Sequence, residues 1–179
     1  MIEKRSAVFL DRDGVLTVEK GYITVKKDME IFPYAAECIR QIHLKRYYAI
    51  VITNQSGVAR GYFTEETLNE MNDELISRTQ VDAVYYCPHH PEGKVEKYRC
   101  RCHCRKPEIG MFDMACKQFC IDIENSYMVG DRAGDIIAGQ RAGMTTVLLE
   151  SGYGTARLEK NITADYTLKD LREVIQILR

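Results

Sequence analysis

Short apolar runs alternate with longer amphipathic stretches along this chain. Short runs of this kind are typical of strands that are buried on both faces of a parallel sheet. The longer stretches place apolar residues on one side with helical spacing, as for Ala35, Ile39 and Ile42. We predict strands at residues 7–10, 48–52, 83–86, 126–129, 145–149 and 165–167, and helices at 34–47, 65–77, 111–120, about 133–142 and from 168 onward.

This alternation predicts an α/β protein with a Rossmann-like parallel sheet and helices on both faces. We expect a single domain over residues 1–179, because no insertion is large enough for a sizeable cap domain. Residues 17–32 form a long irregular segment, which we interpret as a flap-like loop. Pro33 is expected to open the first helix and Thr64 to cap the second.

Charge and hydropathy exclude several classes of function. Lys and Arg number 25 and Asp and Glu number 26, so no broad basic surface for nucleic acid is expected. No apolar run reaches transmembrane length, and residues 1–6 do not resemble a signal peptide. We therefore expect a cytoplasmic protein, monomeric at this size, that binds neither nucleic acid nor membranes.

Polar clusters follow three of the predicted strands. They comprise Asp11 and Asp13 after the first strand, Thr53 and Asn54 after the second, and Asp131 after the fourth. In an open parallel sheet these positions meet at one edge, where ligands bind. Alternate residues of an extended chain face the same way, so Asp11 and Asp13 can share one site. Several carboxylates with room for water favour Mg²⁺, although a lone Asp-rich turn would be unremarkable.

These groups together predict phosphoryl transfer through an aspartyl-phosphate. Asp11 would attack phosphorus, and Asp13 would protonate the leaving oxygen and then deprotonate water. Thr53 and Lys106 would stabilise charge on the transferred group. Asp135 would orient the metal ligands, or it could be an acid favoured by the positive end of a helix.

Cysteine and histidine residues are concentrated in the loop at residues 87–104. Two pairs with i, i+2 spacing predict a closed, structural Zn²⁺ site formed by Cys87, His89, Cys102 and Cys104. Cys100 is the main rival ligand, and His90 and His103 are spare candidates. A nucleic-acid zinc finger is a competing interpretation, but no basic recognition helix follows the loop.

Three further cysteines lie in predicted helices. We interpret Cys38, Cys116 and Cys120 as small core residues rather than redox groups.

Four motifs of the chain resemble those of the haloacid dehalogenase (HAD) superfamily of phosphatases. They are Asp11-Arg12-Asp13-Gly14-Val15, Thr53-Asn54-Gln55, Lys106-Pro107 and Gly130-Asp131-Arg132-Ala133-Gly134-Asp135. The resemblance implies Asp11 as nucleophile and Asp13 as acid and base. It also implies Mg²⁺ held by Asp11, the backbone carbonyl of Asp13, and Asp131. Without a large cap, the site should be open, with specificity carried by loops.

Two segments narrow the resemblance to the zinc-loop branch of that superfamily, which contains heptose bisphosphate phosphatases and histidinol-phosphate phosphatases. They are residues 86–93 and 102–107. The loop length, Gly21-Tyr22 and residues 53–61 are more similar to the heptose enzymes. The resemblance implies Mg²⁺-dependent hydrolysis of the 7-phosphate of a heptose 1,7-bisphosphate, for nucleotide-activated heptose biosynthesis. Histidinol phosphate is the alternative substrate, and a zinc-stabilised, non-catalytic binding module is the alternative from another class.

The same resemblance implies a set of residues that contact a small phosphosugar. The set comprises Glu19, Lys20, Gly21, Tyr22, Asn54, Gln55, Ser56, Arg105 and Lys106. Arg105 would also assist Lys106 in catalysis, and with Arg60 or Lys20 it could bind a second phosphate. Arg132 departs from the heptose enzymes, which often carry Lys there.

Overall fold

The computed structural model describes residues 4–158 and 161–179. Residues 1–3, part of the segment that we interpreted as unlike a signal peptide, lie outside this range. The strands are β1 (Ala7–Leu10), β2 (Tyr48–Asn54), β3 (Ala83–Cys87), β4 (Tyr127–Gly130), β5 (Thr145–Leu149) and β6 (Tyr166–Leu168). The helices are α1 (Ala35–Leu44), α2 (Glu65–Thr79), α3 (Gly110–Gln118), α4 (Ala133–Ala142) and α5 (Leu171–Ile177).

The six strands form one parallel sheet in the order β3-β2-β1-β4-β5-β6. β1 is central, and its last residue, Leu10, is in register with Val51 of β2 and Val129 of β4. The predicted α/β fold is therefore confirmed. Because all the strands run the same way, the residues that follow β1, β2 and β4 converge at one edge of the sheet.

Apolar side chains cover both faces of the sheet. In β1, Val8 and Leu10 pack with α1, α2 and α5, whereas Ala7 and Phe9 pack with α3 and α4. Phe9 meets Phe112 of α3 edge to face, with ring centroids 5.0 Å apart. This alternation explains why the central strands read as uninterrupted apolar runs in the sequence.

Some predicted helix boundaries shift. α1 begins at Ala35, two residues after Pro33, because Tyr34 is the N-cap residue. Thr64 caps α2 as predicted, since its hydroxyl accepts the N–H of Thr67 at 3.2 Å. The final helix starts at Leu171 rather than 168, because residue 168 completes β6. No helix in the described parts of the chain is long and apolar enough to cross a membrane.

The prediction for the isolated cysteines is wrong for two of three. Cys38 is buried in α1, but Cys116 and Cys120 are exposed. α3 buries Met111 and Ala115 and ends at Gln118, so Cys116 lies beside the buried stripe and Cys120 lies beyond the helix.

Two loops frame the edge of the sheet where the polar clusters lie. The predicted flap at 17–32 is anchored, since Ile23, Met29 and Ile31 are buried in the core and Thr17 bridges to Ile31. The loop at 87–104 is different: between His89 and Cys102, Gly93 alone is buried. Buried side chains therefore fix the first loop, whereas they contribute little to the second.

Candidate active site

Asp11 lies at the centre of the polar edge, directly after β1. Its backbone N–H donates to Val129 of β4 at 2.9 Å. Its Oδ1 accepts the N–H of Arg12 at 2.7 Å and lies 3.2 Å from Lys106 Nζ. Burial raises the pKa of Asp11 to about 6, and the Lys106 ammonium offsets part of that effect. The side chain is thus held in one orientation by the sheet and by a buried cation.

Asp131, at the end of β4, is completely buried. Its Oδ2 accepts the N–H of Tyr153 at 2.9 Å, whereas its Oδ1 makes no hydrogen bond to any described residue and lies 3.7 Å from Arg132 Nε. Gly14 and Gly152 approach so closely that a Cβ at either would overlap the carboxylate, and Gly14 also has a positive φ of 83°. Burial, together with the neighbouring carboxylates, raises the pKa of Asp131 to about 8.

Carboxylate oxygens of Asp11, Asp131 and Asp135 lie within 4.8 Å of one another. Both oxygens of Asp135 have partners, because Oδ1 lies 2.5 Å from Lys106 Nζ and Oδ2 accepts the N–H of Arg132 at 3.0 Å. Asp11 and Asp131 therefore keep the freer oxygens. Buried oxygen donors with excess negative charge and one unbonded atom fit a hard divalent cation.

Lys106 is 4 % exposed and is fixed from several sides. Besides the two carboxylates, its Nζ donates to the carbonyl of Ile52 at 2.8 Å. The Asn54 side chain donates to the Lys106 carbonyl at 2.9 Å and accepts the Lys106 N–H at 3.0 Å. β2 thus positions the lysine directly, and the predicted substrate contact Asn54 has a structural role.

Asp13 lies beside this cluster in a separate network. Arg12 donates to both of its oxygens at 3.0 Å, and Thr17 and Gln55 donate at 2.9 Å each. Burial would raise the pKa of Asp13, but Arg12 and these hydrogen bonds outweigh it and lower the pKa. Gln55 also donates to the hydroxyl of Thr53 at 3.0 Å, which links the second motif to the first.

A cavity of about 320 Å³ opens beside Asp13. Six predicted substrate residues line it: Gly21, Tyr22, Asn54, Gln55, Ser56 and Arg105. Its other lining residues are Asp13, Gly57, Arg60, His90, Arg132 and Tyr153. The cavity therefore presents three guanidinium groups and an imidazole to any ligand, which favours an anion.

Several predicted site residues lie away from the cavity wall. Thr53 and Lys106 lie among the buried groups behind it. Lys20 lies 3.0 Å from Glu30 within its own loop. Glu19 accepts a hydrogen bond of 2.6 Å from Arg132, which also stacks over the ring of Tyr153. This ion pair ties the 17–32 loop to the start of α4.

The Cys/His loop brings three of its four predicted ligands together. Ligand atoms of Cys87, His89 and Cys102 lie within 4.8 Å of one another, with Cys87 Sγ 3.8 Å from His89 Nδ1. Cys104 lies next to this group: its N–H donates to Cys102 Sγ at 3.4 Å, while its thiol lies 4.0 Å from Met114 Sδ. Cys100 is exposed on the surface.

The two remaining histidines of the loop have other contacts. His90 lines the cavity and lies 3.2 Å from Arg60, and His103 lies 3.1 Å from Asp113. The Cys/His group also reaches the cavity, because Arg105 donates to the carbonyl of His89 at 3.4 Å.

Sequence reasoning missed several features of this site. Tyr153 and Gly152 were not singled out, although the Ser151–Gly154 stretch after β5 stands at the functional edge of the sheet. That position was the available signal, because every parallel strand delivers its following residues there.

The fold and the polar residues at its strand ends define a HAD-like hydrolase. The HAD-hydrolase-like family model matches residues 103–174. D-glycero-beta-D-manno-heptose-1,7-bisphosphate 7-phosphatase of Haemophilus ducreyi is 40% identical over 96% of this chain and 97% of its own length. The protein of the same name from Escherichia coli K12 is 39% identical over 100% of this chain and 96% of its own length. The chain belongs to this family of heptose bisphosphate phosphatases.

Solved structures agree with this assignment. D,D-heptose 1.7-bisphosphate phosphatase from B. bronchiseptica, complexed with magnesium and phosphate, superposes with a TM-score of 0.82 at 28% identity over 96% of each chain. A HAD-like phosphatase from Mesorhizobium loti superposes with a TM-score of 0.83 at 29% identity, over 97% of this chain and 85% of its own.

Proposed function

We propose that this protein is a Mg²⁺-dependent phosphatase that hydrolyses the 7-phosphate of D-glycero-D-manno-heptose 1,7-bisphosphate. One observation carries the proposal: the buried cluster of Asp11, Asp131, Asp135 and Lys106 adjoins a cavity lined by cationic side chains. The names of the relatives supply the substrate. The reaction would feed the synthesis of nucleotide-activated heptose in the cytoplasm.

We assign the following roles to the residues of this cluster. Asp11 attacks phosphorus and forms an aspartyl-phosphate. Asp13 protonates the leaving oxygen and later deprotonates the water that hydrolyses the intermediate. Lys106 and Thr53 stabilise charge on the transferred group. Held by Asp11, Asp131 and the carbonyl of Asp13, Mg²⁺ would supply the positive charge that offsets repulsion between carboxylate and phosphate.

The cavity favours a substrate with a second phosphate. Arg60 and Arg105 line it with His90, and the buried Nε of Arg60 has no hydrogen-bond partner among the described residues. Burial and these two guanidinium groups lower the pKa of His90. A bound phosphate would offset the repulsion between the positive charges that line the cavity. The cationic amine of histidinol phosphate would instead add to that repulsion. Lys20, the other candidate cation, does not line the cavity.

We further propose that Zn²⁺ organises the loop at 87–104. Cys87, His89, Cys102 and Cys104 would form a closed tetrahedral site with a structural role. Because Arg105 donates to the carbonyl of His89, the zinc-bound loop would also fix the position of Arg105 in the cavity. We propose that the chain acts as a monomer on a small phosphosugar, without nucleic acid or a membrane.

The first test is phosphate release from a panel of esters with Mg²⁺ present. The panel holds both anomers of heptose 1,7-bisphosphate, fructose 1,6-bisphosphate, histidinol phosphate and a 3′-phosphorylated oligonucleotide. We expect the highest kcat/KM for one heptose anomer. Preference for histidinol phosphate would replace the substrate but keep the chemistry. Release from none of them by folded protein would favour a non-catalytic binding module.

A further inference from the structure

Arg12 lies between the two aspartates of the first motif and is completely buried. Its Nε and Nη2 each lie 3.0 Å from an oxygen of Asp13, so the guanidinium grips both carboxylate oxygens. Its Nη1 lies 3.5 Å from the side-chain oxygen of Asn72 in α2. Burying a guanidinium costs free energy unless such partners compensate it. We therefore ask what function Arg12 serves at this position.

The carboxylate of Asp13 accepts four hydrogen bonds. Oδ1 accepts from Arg12 Nε and Thr17 Oγ1, and Oδ2 accepts from Arg12 Nη2 and Gln55 Nε2. A carboxylate has about four acceptor positions, so all of them are filled. In this arrangement a substrate can reach Asp13 only by replacing one of the four donors.

The four donors are not equivalent. Arg12 and Thr17 are fully buried and do not line the cavity, whereas Asp13 and Gln55 do. The bond from Gln55 to Oδ2 is therefore the one that an incoming oxygen atom can replace. The other three hold the carboxylate from behind.

We propose that Arg12 is a positioning residue that, with Thr17, anchors Asp13 so that Oδ2 faces the leaving oxygen of the substrate. The inference rests on the proposed function of Asp13. When the substrate replaces Gln55, the freed Oδ2 of Asp13 takes up a proton from solvent. In the first step the Asp11–phosphorus bond forms, the bond from phosphorus to the leaving oxygen breaks, and the proton on Oδ2 moves to that oxygen. Arg12 then pairs with the carboxylate that this transfer leaves.

The fork shape of the guanidinium is essential to this role. Arg presents two parallel N–H groups that match a carboxylate, whereas Lys offers a single point charge on a flexible stem. Arg12→Lys therefore keeps the charge but allows Asp13 to rotate. The rate of proton transfer depends on the orientation of Asp13, so it should fall. The net charge of the buried site should stay the same.

The test compares two kinds of ester with Arg12→Lys under Mg²⁺. Heptose 1,7-bisphosphate has an alkoxide leaving group that needs a proton, whereas p-nitrophenyl phosphate and acetyl phosphate do not. General acid catalysis contributes about 10²–10⁴-fold, so we expect kcat/KM to fall about 10- to 100-fold for the sugar and less than about threefold for the activated esters. The value of kcat/KM depends only on the steps up to formation of the aspartyl-phosphate, so the rate of hydrolysis of that intermediate does not affect it.

Matched variants complete the design. Arg40→Lys, which makes the same change on an exposed helix surface, should leave both rates unchanged. Asp13→Asn should show the same selective loss for the sugar, and Asp11→Asn should abolish turnover of every ester. Absence of the selective loss in Asp13→Asn would refute the acid role in the proposed function, and with it the role of Arg12.

An equal fall for both kinds of ester in Arg12→Lys, or no fall, would overturn the inference while Asp13→Asn keeps its selectivity. If Arg12→Lys fails to fold, Thr17→Val decides. It removes one anchor from Asp13 with little change in shape, and it should show the same selectivity with a smaller loss. A uniform or absent loss in that variant would likewise contradict the positioning role.

Discussion

The carboxylate cluster and the Cys/His group differ in how their ligand atoms are brought together. Asp11 and Asp131 follow neighbouring strands of a parallel sheet, so the register of β1 and β4 places them side by side without help. The Cys/His group has one member, Cys87, on a strand, while Cys102 lies across a loop with almost no buried side chains. The sheet builds the first group, whereas we propose that the second group depends on Zn²⁺.

The largest effect is expected at the nucleophile. Asp11→Asn should lower kcat by at least about 10⁴-fold, because no other group can form the aspartyl-phosphate. The melting temperature of the metal-free variant should stay the same or rise, because the pKa of Asp11 is raised by burial and its charge opposes folding. Phosphate release and thermal melting measure the two effects. A variant that loses activity by unfolding would contradict the claim that the sheet alone builds this cluster.

The proposed zinc site should show the opposite pattern, with a loss of stability larger than the direct loss of activity. Cys87→Ser should abolish zinc binding, lower the melting temperature by on the order of 5 °C and reduce turnover through Arg105. Zinc per chain, measured by elemental analysis, and thermal melting check this prediction.

Cys116→Ser is the matched control, because Cys116 is exposed and lies outside the Cys/His group. It should change none of these quantities. Full stability of zinc-free protein, with activity intact, would mean that the loop folds without metal and that the two groups do not differ as proposed. Cys100→Ser and Cys104→Ser, compared by zinc content, identify the fourth ligand.

The cavity gives a smaller effect on the substrate side. Arg60→Met should raise KM for heptose 1,7-bisphosphate about tenfold, the change expected for loss of one charge-assisted hydrogen bond. The KM for heptose 7-phosphate, which lacks the second phosphate, should not change. Lys20→Met is the control, since Lys20 pairs with Glu30 outside the cavity. An equal rise for both substrates would place Arg60 in general packing instead.

The contrast between the two groups also explains which features could be predicted from the sequence. Parallel strands fix where their following residues go, so the apolar runs before Asp11 and Asp131 were sufficient to place both at one edge. The pairing of Cys102 with Cys104 assumed an extended segment. The chain instead turns at residues 103–104 and takes the Cys104 thiol towards Met114.

Contacts between loops that are far apart along the chain could not be predicted from the sequence. Glu19 and Arg132 are 113 positions apart, and their ion pair depends on how the 17–32 loop meets the residue that precedes α4. The close approach of Gly152 to Asp131 depends in the same way on the path of the chain after β5. No periodicity or local spacing encodes such contacts, because they arise only when the core is complete.

The smallest effect is a pH dependence of metal-linked stability. The pKa values of Asp11 and Asp131 are raised from 3.8 to about 6 and about 8. Folding of the metal-free protein therefore favours the neutral forms of both carboxylates. This contribution is fully present below about pH 4 and is lost as pH rises through 6 and then 8. A bound divalent cation favours the charged forms, so the rise in melting temperature on adding Mg²⁺ should be larger at pH 8 than at pH 5.5.

Melting curves at pH 5.5 and pH 8, in Ca²⁺-free buffer with and without Mg²⁺, measure this difference. Asp131→Asn is the control. A rise that is larger at pH 5.5 would mean that these carboxylates do not hold the cation.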